Sequence, residues 1–424
     1  MVKTILGATL KTKDEIKNLK IVFKTKRRAF KAKIREVIFG NPNSRKALKK
    51  LEIQKTDLVR MIKDQARVDY YEWKYPNFPT NDKVKRFIWF VPDWLNVWGG
   101  GHYTLFRFAN HFSNQEEGIQ NIIFIYNDSG RRAISEIEKD LKSAVQNCKL
   151  KVITNPELLP SCEAAFATTW QSAYDVSAFP HAKKKFYFMQ DYESLFYAYG
   201  TESMQAINSY KMGFIGITGG TWLRQTFESY GGKAQNYVFS TDKDIFYPSN
   251  KGKVRDRVLK IFFYGRPSTE RRCFSLGINA LEKISKKYPD IEIVIAGLQI
   301  EEGLLPFKAT LLGNLTLKET GELYRSCDVG IAFSGTNLSY LPVELMASGC
   351  PVLTNNGLQT EWYCNSENSI LVDPVAKAVL EGFDNLYNSK ELRQKIVDKG
   401  LEKSAQTSWE KEMDKIYSYV ISNL

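Results

Sequence analysis

The sequence is poor in metal ligands and in thiols that could pair. Its 424 residues include three histidines, at 102, 111 and 181, and six cysteines, at 148, 162, 273, 327, 350 and 364. No cysteines form a C-x-x-C pair, and no Cys/His group has zinc-site spacing. This argues against a multi-histidine metal centre and against a disulfide scaffold. No run approaches the roughly 20 apolar residues that a membrane-spanning helix requires. The first apolar stretch, Ile5 to Leu10, is short for a signal-peptide core and leads into lysine-rich sequence. Low-complexity segments and short-period repeats are also missing. The expected setting is cytoplasmic.

Hydrophobic residues make up 43% of the chain and charged residues 25%, the mix of a soluble globular protein. The length suits about two to three domains. Charge is distributed unevenly. The net charge is +13, and residues 1–60, with 18 Lys/Arg and 5 Asp/Glu, carry all of it. The rest is neutral overall. A neutral body with a basic arm calls for an anionic partner: a lipid surface, a nucleic acid or an acidic protein.

The arm has helical periodicity. Ile16, Leu19, Phe23, Phe30, Ile34 and Val37 recur between cations, Gly40 to Asn43 breaks the pattern, and Ser44 caps a second helix bearing Leu48, Leu51, Leu58 and Ile62. Such helices can lie on an anionic membrane or pack on the protein's own body. From Lys85 onward, strands alternate with helices: Arg86–Trp94, Ile122–Tyr126, Leu150–Thr154, Ala164–Thr168, Lys185–Met189 and Gly213–Thr218. A pause at Gly231–Lys253 follows. Leu259–Tyr264, Ile291–Ala296, Thr310–Leu312, Val329–Phe333, Pro351–Thr354 and Ile370–Val372 resume the pattern before closing helices. This alternation predicts doubly wound α/β architecture. The expected organisation is a helical extension over 1–84, one Rossmann-like domain over 85–240, a second over 241–407, and a last helix over 408–424 returning to the first. Two such domains make a cleft, with ligand-binding residues just after strands.

Three clusters occupy such positions. The first follows Val329–Phe333: Thr336, Leu338, Ser339, Tyr340 and Leu341 lead into Pro342-Val343-Glu344, and Gly349 suits a helix C-cap. Free N–H groups over 338–343 and the dipole of that short helix suit phosphate, and a first-turn Glu344 could accept from hydroxyls. Gly265 and Arg266, then Arg271 and Arg272, form the second, whose guanidinium forks suit a diphosphate and could neutralise a leaving group. The third is Gly99-Gly100-Gly101, which permits close backbone approach. His102, Thr168, Thr169, Trp170, Asp191, Tyr192 and Glu193 are further post-strand candidates for acceptor contacts. Asp242-Lys243-Asp244 spells D-x-D, but its place before Phe246 and Pro248 suits an interdomain linker.

Over residues 85–424 these motifs resemble GT-B glycosyltransferases of family 4, a retaining, metal-independent class. Gly265, Arg266 and Arg271 match the family's Gly-Arg element, with arginine at the lysine position. Pro342, Glu344, Met346, Ala347, Gly349, Pro351 and Val352 match its E-x7-E element, whose first glutamate is here Thr336. Trp98 to His102, Phe188 to Glu193 and Thr241 to Asp244 are similar to bacterial rhamnosyltransferases of S-layer glycan assembly. The resemblance implies Arg266, Arg271 and Glu344 as catalytic residues. Gly265, Thr336, Leu338 to Leu341 and Gly99 to Gly101 would line the nucleotide-sugar site, and His102, Trp170, Asp191 and Tyr192 the acceptor side. It implies no metal or other cofactor, dTDP-L-rhamnose as donor, and a lipid-linked glycan acceptor at the inner membrane face, reached through residues 1–60. A UDP- or GDP-linked donor, or a silent nucleotide- or glycan-binding scaffold, is the alternative. Nucleic acid is the disfavoured partner: the arm carries no recognised motif and the neutral body no basic groove.

Overall fold

The computed structural model describes residues 73–424, except 81, 95, 116–118, 129, 131, 299, 301 and 302, and only the backbone at 250 and 251. The two expected arm helices lie outside the described residues. Within residues 73–424 the chain builds two parallel sheets, each covered by helices.

The first sheet comprises β1 (Lys85–Val91), β2 (Ile119–Ile125), β3 (Lys151–Ile153), β4 (Cys162–Ala167), β5 (Ala182–Met189), β6 (Ile215–Gly219) and β7 (Lys233–Tyr237). Its order is β3-β2-β1-β4-β5-β6-β7, and its pairs are parallel. The helices between these strands are α1 (Gly100–Gln115), α2 (Ile134–Ala144), α3 (Trp170–Ala178), α4 (Thr201–Ser209) and α5 (Thr221–Glu228). Helices on both faces explain the near-continuous apolar strands. Six of the seven β1 residues are buried, and Trp89 stacks on Phe166 at 4.0 Å.

The second sheet comprises β8 (Lys260–Tyr264), β9 (Glu292–Ala296), β10 (Thr310–Gly313), β11 (Val329–Ile331), β12 (Val352–Asn355) and β13 (Ile370–Val372), in the order β10-β9-β8-β11-β12-β13. Its pairs are also parallel. With it go α6 (Phe274–Lys287), α7 (Leu317–Ser326), α8 (Tyr340–Ala347), the short α9 (Leu358–Glu361), α10 (Ala376–Asn388) and α11 (Lys390–Ala405). The last helix, α12 (Trp409–Ser422), packs against β7 and α1. There Glu412 accepts from the Val238 N–H at 2.8 Å, His111 meets Asp414 at 2.7 Å, and Tyr417 sits edge-on to Phe112.

One apolar core runs from α1 and α12 through Phe239, Trp362 and Tyr340 to Leu338, Val343 and Leu345 near the second sheet. The outer faces of the two sheets have separate cores. The structure corrects two expectations. The pause at 231–253 contains β7, whose Lys-Ala-Gln-Asn-Tyr composition hides an edge strand. The helix expected from Tyr103 begins three residues earlier, because Gly100 and Gly101 form its first turn.

Candidate active site

Chain order reverses between β1 and β4 in the first sheet and between β8 and β11 in the second. Parallel α/β sheets bind ligands at such points, beyond the carboxyl ends of the strands. The segments leaving these four strands are 92–99, 168–169, 265–273 and 332–339. They hold Gly99, Thr168, Thr169, Gly265, Arg266, Arg271, Arg272, Thr336, Leu338 and Ser339 of the residues singled out from sequence.

After β8, Arg266 is exposed, whereas Arg271 and Arg272 turn inward. Arg272 lies deepest. It donates to the Ser334 hydroxyl at 2.5 Å, and burial lowers its pKa. The Arg271 guanidinium covers the Phe196 ring at 4.0 Å and faces the Asp191 carboxylate, Nε to Oδ2, at 3.5 Å. The sequence singles out Arg266 and Arg271, but Arg272 is the guanidinium locked in the wall. Gly265 has a packing reason: a Cβ there would stand 2.5 Å from the Ile295 side chain.

The loop after β11 is tied down on both sides. Ser334 N donates to Asn355 Oδ1 at 2.8 Å, and Gly335 N to the Arg271 carbonyl at 2.8 Å. Thr336 is buried. The Leu338 N–H, expected to be free for phosphate, instead donates to Gln359 O and Asn337 Oδ1, each at 3.0 Å, and its side chain is buried. Ser339 starts α8 without a side-chain cap bond, and Ser339, Tyr340 and Leu341 are only partly buried. The helix N-terminus is therefore a possible anion seat from 339 on.

Glu344 falls in the second turn of α8, not the first, so burial governs it more than the dipole does. Burial and the nearby Asp242 charge push its pKa up to about 7, against a bond from Tyr324 and the attraction of Arg107. Arg107 on α1 is paired with Asp242 and lies over the Tyr103 ring at 3.9 Å. The first aspartate of the D-x-D string thus serves an ion pair.

The first sheet presents its own loop ends. The Gly100 and Gly101 backbone is exposed, and the Gly101 carbonyl accepts from Gln190 Nε2 at 2.7 Å. A Cβ on Gly100 would stand 3.5 Å from the Tyr340 ring, so α1 and α8 meet here. Gly99 closes a turn back to the Asn96 carbonyl at 3.1 Å.

Several acceptor-side expectations change. His102 lies against Trp94 and Phe106, its Nε2 3.3 Å from the Pro92 carbonyl, and burial lowers its pKa, which suits a neutral ring braced in the loop. Trp170 is 1% exposed and donates to the Tyr197 hydroxyl at 3.0 Å, so its ring has no face to offer a sugar. Tyr192 stacks on Tyr210 and shares a 2.5 Å hydroxyl contact with Tyr230. Glu193 accepts from the Trp170 N–H at the start of α3 at 2.5 Å, and burial raises its pKa to about 8. Asp191 does face the second sheet. It accepts from Asn337 N at 2.8 Å and Tyr192 N at 2.9 Å, and its pKa is raised by burial against the pull of Arg272, the Asn337 N–H and Arg271.

Asn337 joins the halves and was not singled out from sequence. Its amide donates to Gln190 O at 2.9 Å and Gly219 O at 2.6 Å, at the ends of β5 and β6. Its carbonyl accepts from Leu338 N and Trp362 Nε1, each at 3.0 Å. A polar residue beside a Gly-Thr pair reads as a turn, and only the tertiary fold shows its partners.

Comparison with known structures decides the fold. Sucrose-phosphate synthase from Thermosynechococcus elongatus superimposes with a TM-score of 0.61 at 13% identity, over 80% of this chain and 100% of its own. Anabaena HepE, in complex with UDP and glucose, gives 0.61 at 12% identity over the same shares. S. aureus TarM, in a complex that includes UDP, gives 0.58 at 11% identity, also over 80% and 100%. The fold is GT-B. Within it, residues 259–384, which contain the second sheet's Arg271 to Glu344 wall, match the family described as WsaF, C-terminal domain. RfbC, an O-antigen biosynthesis protein of Myxococcus xanthus, is 34% identical over 345 residues, covering 79% of this chain. The chain spans 27% of the length of that relative. The GT-B cleft of this chain is therefore the space between the β1/β4 and β8/β11 loop ends. Among the described residues, no group of three or more His, Cys, Asp or Glu side chains converges as a metal site, and no helix is long and apolar enough to cross a membrane.

Proposed function

We propose that the chain is a glycosyltransferase that moves a sugar from a nucleotide sugar to a growing surface glycan. One observation carries the reading. Arg271 and Arg272 follow β8, the uncapped start of α8 and part-buried Glu344 follow the adjacent strand β11, and Gly100 faces Tyr340 at the start of α8. Guanidinium groups and helix N–H groups suit a diphosphate. A carboxylate in a low-dielectric setting suits a ribose or deoxyribose hydroxyl. The UDP-bound neighbour and the O-antigen relative support the same chemistry.

The finer reading is transfer with retention, without a metal, from dTDP-L-rhamnose to a lipid-linked glycan. The motifs around 98–102, 188–193 and 241–244, which resemble those of bacterial rhamnosyltransferases, favour this donor. The Arg107–Asp242 pair favours metal-free transfer, because it commits the D-x-D carboxylate elsewhere. The leaving phosphate oxygen then takes the acceptor proton, and the protein contributes positioning and electrostatics. Residues 1–60 would bring the enzyme to an anionic membrane surface.

The test is a thermal-shift series with dTDP, UDP, GDP and ADP on the wild type and Glu344→Ala. A ligand that binds only the folded state raises its stability. Stabilisation by one nucleotide, lost in the variant, supports the site and names the base. No shift with any nucleotide would favour the silent scaffold, which Thr336 in place of glutamate already suggests.

A further inference from the structure

The linker between the two sheets passes along α8. Its Asp242 pairs with Arg107 of α1, its Phe246 stacks on Tyr324 of α7 at 5.9 Å, and its Pro248 lies against Gly349, where a Cβ would stand 3.0 Å from the proline ring. The side of α8 that meets α1 is fixed by the bond between Thr104 and Tyr340 at 2.9 Å. Residues three or four positions apart share a helix face. Arg107 on α1 and Glu344 on α8 therefore lie one turn from that bond on the facing sides. Trp409 of α12 spans both: its ring is 5.6 Å from the Tyr340 ring and 5.1 Å from the Arg107 guanidinium, which also covers Tyr103 at 3.9 Å. Two rings and the Asp242 carboxylate thus hold Arg107 in place, with its side chain 11% exposed. Among the described residues, no ion pair reaches Glu344.

We propose that Arg107 and Asp242 are positioning residues for nucleotide binding: Arg107 supplies the positive field that favours the Glu344 carboxylate, and Asp242 holds that guanidinium where it attracts Glu344 without pairing with it. The inference rests on the glycosyltransferase reading, in which Glu344 accepts from a nucleotide hydroxyl. An ion pair to Glu344 itself would occupy the oxygens that the hydroxyl needs, whereas a cation one helical turn away leaves them free. The charges facing Glu344 are few. Burial holds its carboxyl toward the protonated form and Asp242 adds to this, while Tyr324 and Arg107 oppose it. Tyr340 is the titratable neighbour on its own helix. Of the other elements against α8, β11 and β12 carry no titratable side chain, and α11 meets it where Gly400 lies against Met346. The two members of one ion pair therefore act on Glu344 with opposite signs. This gives the first aspartate of the D-x-D string a part in nucleotide binding that is exerted through charge.

Calorimetric titrations with dTDP and UDP at pH 6.5 and 8.5 test this on the wild type, Asp242→Asn, Arg107→Gln and Arg107→Lys. Asp242→Asn keeps an oxygen to accept from Arg107 and removes the charge that opposes ionisation of Glu344. Affinity at pH 6.5 should become about 3-fold tighter than wild type, the effect of a shift of about one pKa unit. Arg107→Gln leaves Asp242 unpaired and should weaken binding about 3- to 10-fold at pH 6.5. Arg107→Lys keeps the charge and should recover most of that loss. At pH 8.5, where Glu344 is ionised throughout, all four proteins should agree within about twofold. Ratios to wild type at one pH cancel the nucleotide's own titration. A merely structural ion pair would make Asp242→Asn and Arg107→Gln weaken binding alike at both pH values, and that result overturns the inference. So would wild-type affinity in both variants at pH 6.5, or opposite effects that persist when Glu344→Gln is added. A wild type that binds neither nucleotide would overturn the glycosyltransferase reading and the inference with it. If Arg107→Gln fails to fold, the gain in Asp242→Asn decides, since damage to the fold does not tighten binding.

Discussion

The hydroxyls of Thr104 and Tyr340 meet at 2.9 Å across the cleft, joining α1 to α8 over 236 positions of sequence. Thr104 also reaches the Gly100 carbonyl at 2.8 Å, so the exposed glycine turn is braced by a phenol from the other half. The Tyr340 ring stacks on Phe239 at 4.3 Å. Tyr340→Phe keeps the stacking and removes the bond. It should cost about 1 kcal/mol in urea unfolding. Tyr340→Ala also removes the ring and should cost about 3–5 kcal/mol. Equal costs for the two would show that the hydroxyl pair, and not the stack, holds the contact.

Asn337 offers a sharper substitution. Its amide nitrogen points at two carbonyl oxygens, Gln190 O and Gly219 O. Asn337→Asp keeps the shape and replaces that donor by a second acceptor. Two buried carbonyls then lose their partner and face a negative charge, so destabilisation should exceed about 2 kcal/mol. Small-angle scattering should show a more open molecule. A variant as compact and stable as the wild type would mean that the latch is dispensable.

Gly220, at the start of α5, has φ +89, and a Cβ there would lie 2.5 Å from the Trp362 ring. Trp362 is the indole that donates to Asn337 Oδ1. Gly220→Ala therefore combines backbone strain with displacement of a latch partner. A loss of about 2–4 kcal/mol is expected. The control is Gly130→Ala, where φ is +65 and no atom lies near the new Cβ. It isolates the backbone contribution and should cost about 1 kcal/mol. Similar losses at both positions would remove the packing argument.

These contacts show where sequence reading succeeds and stops. The α/β alternation was legible because strands such as Phe-Ile-Trp-Phe-Val are apolar on both faces, as buried parallel sheets require. Edge strand β7 was not, since three of its five residues, Lys233, Gln235 and Asn236, are polar. The glycines at 100 and 101 read as a loop by propensity, yet docking of α1 against Tyr340 holds them as a helical turn. Post-strand position located Arg271, Glu344 and Asp191. Their ranking needed the tertiary structure: Arg272 is the arginine tied to Ser334, and Trp170 is core rather than platform. Asn337 had no local signal, because its side chain reaches partners at 190, 219 and 362, far away in sequence.

Glu193 gives a pH prediction with a defined sign. Burial raises its folded pKa to about 8, against 4.5 for an ordinary glutamate. Between those values the folded state keeps a proton that the unfolded state has lost. Its contribution to stability is full below about pH 4.5 and is lost as pH rises through 8. Glu193→Gln carries no titrating proton and can still accept from the Trp170 N–H. Relative to wild type, it should gain more than about 1.4 kcal/mol between pH 5 and 8.5, the equivalent of one pKa unit. Urea melts at both values test this, and a difference independent of pH would sink it.

Glu344 makes the same argument for ligand binding. Its pKa is pushed up to about 7 without ligand, so near neutrality part of the population is protonated. A hydroxyl donor from a ribose or deoxyribose favours the carboxylate, so nucleotide binding should lower this pKa and release a proton. Affinity should therefore rise from pH 5.5 to 7.5 and flatten above. Titration calorimetry at pH 6.5, in two buffers of different ionisation enthalpy, measures the proton directly. The wild type should release a substantial fraction of one proton per nucleotide. Glu344→Gln, which keeps the shape and cannot titrate, should bind more weakly and release less. Equal release in both proteins would assign the proton to another group, such as the nucleotide's own phosphate, and would separate Glu344 from the ribose.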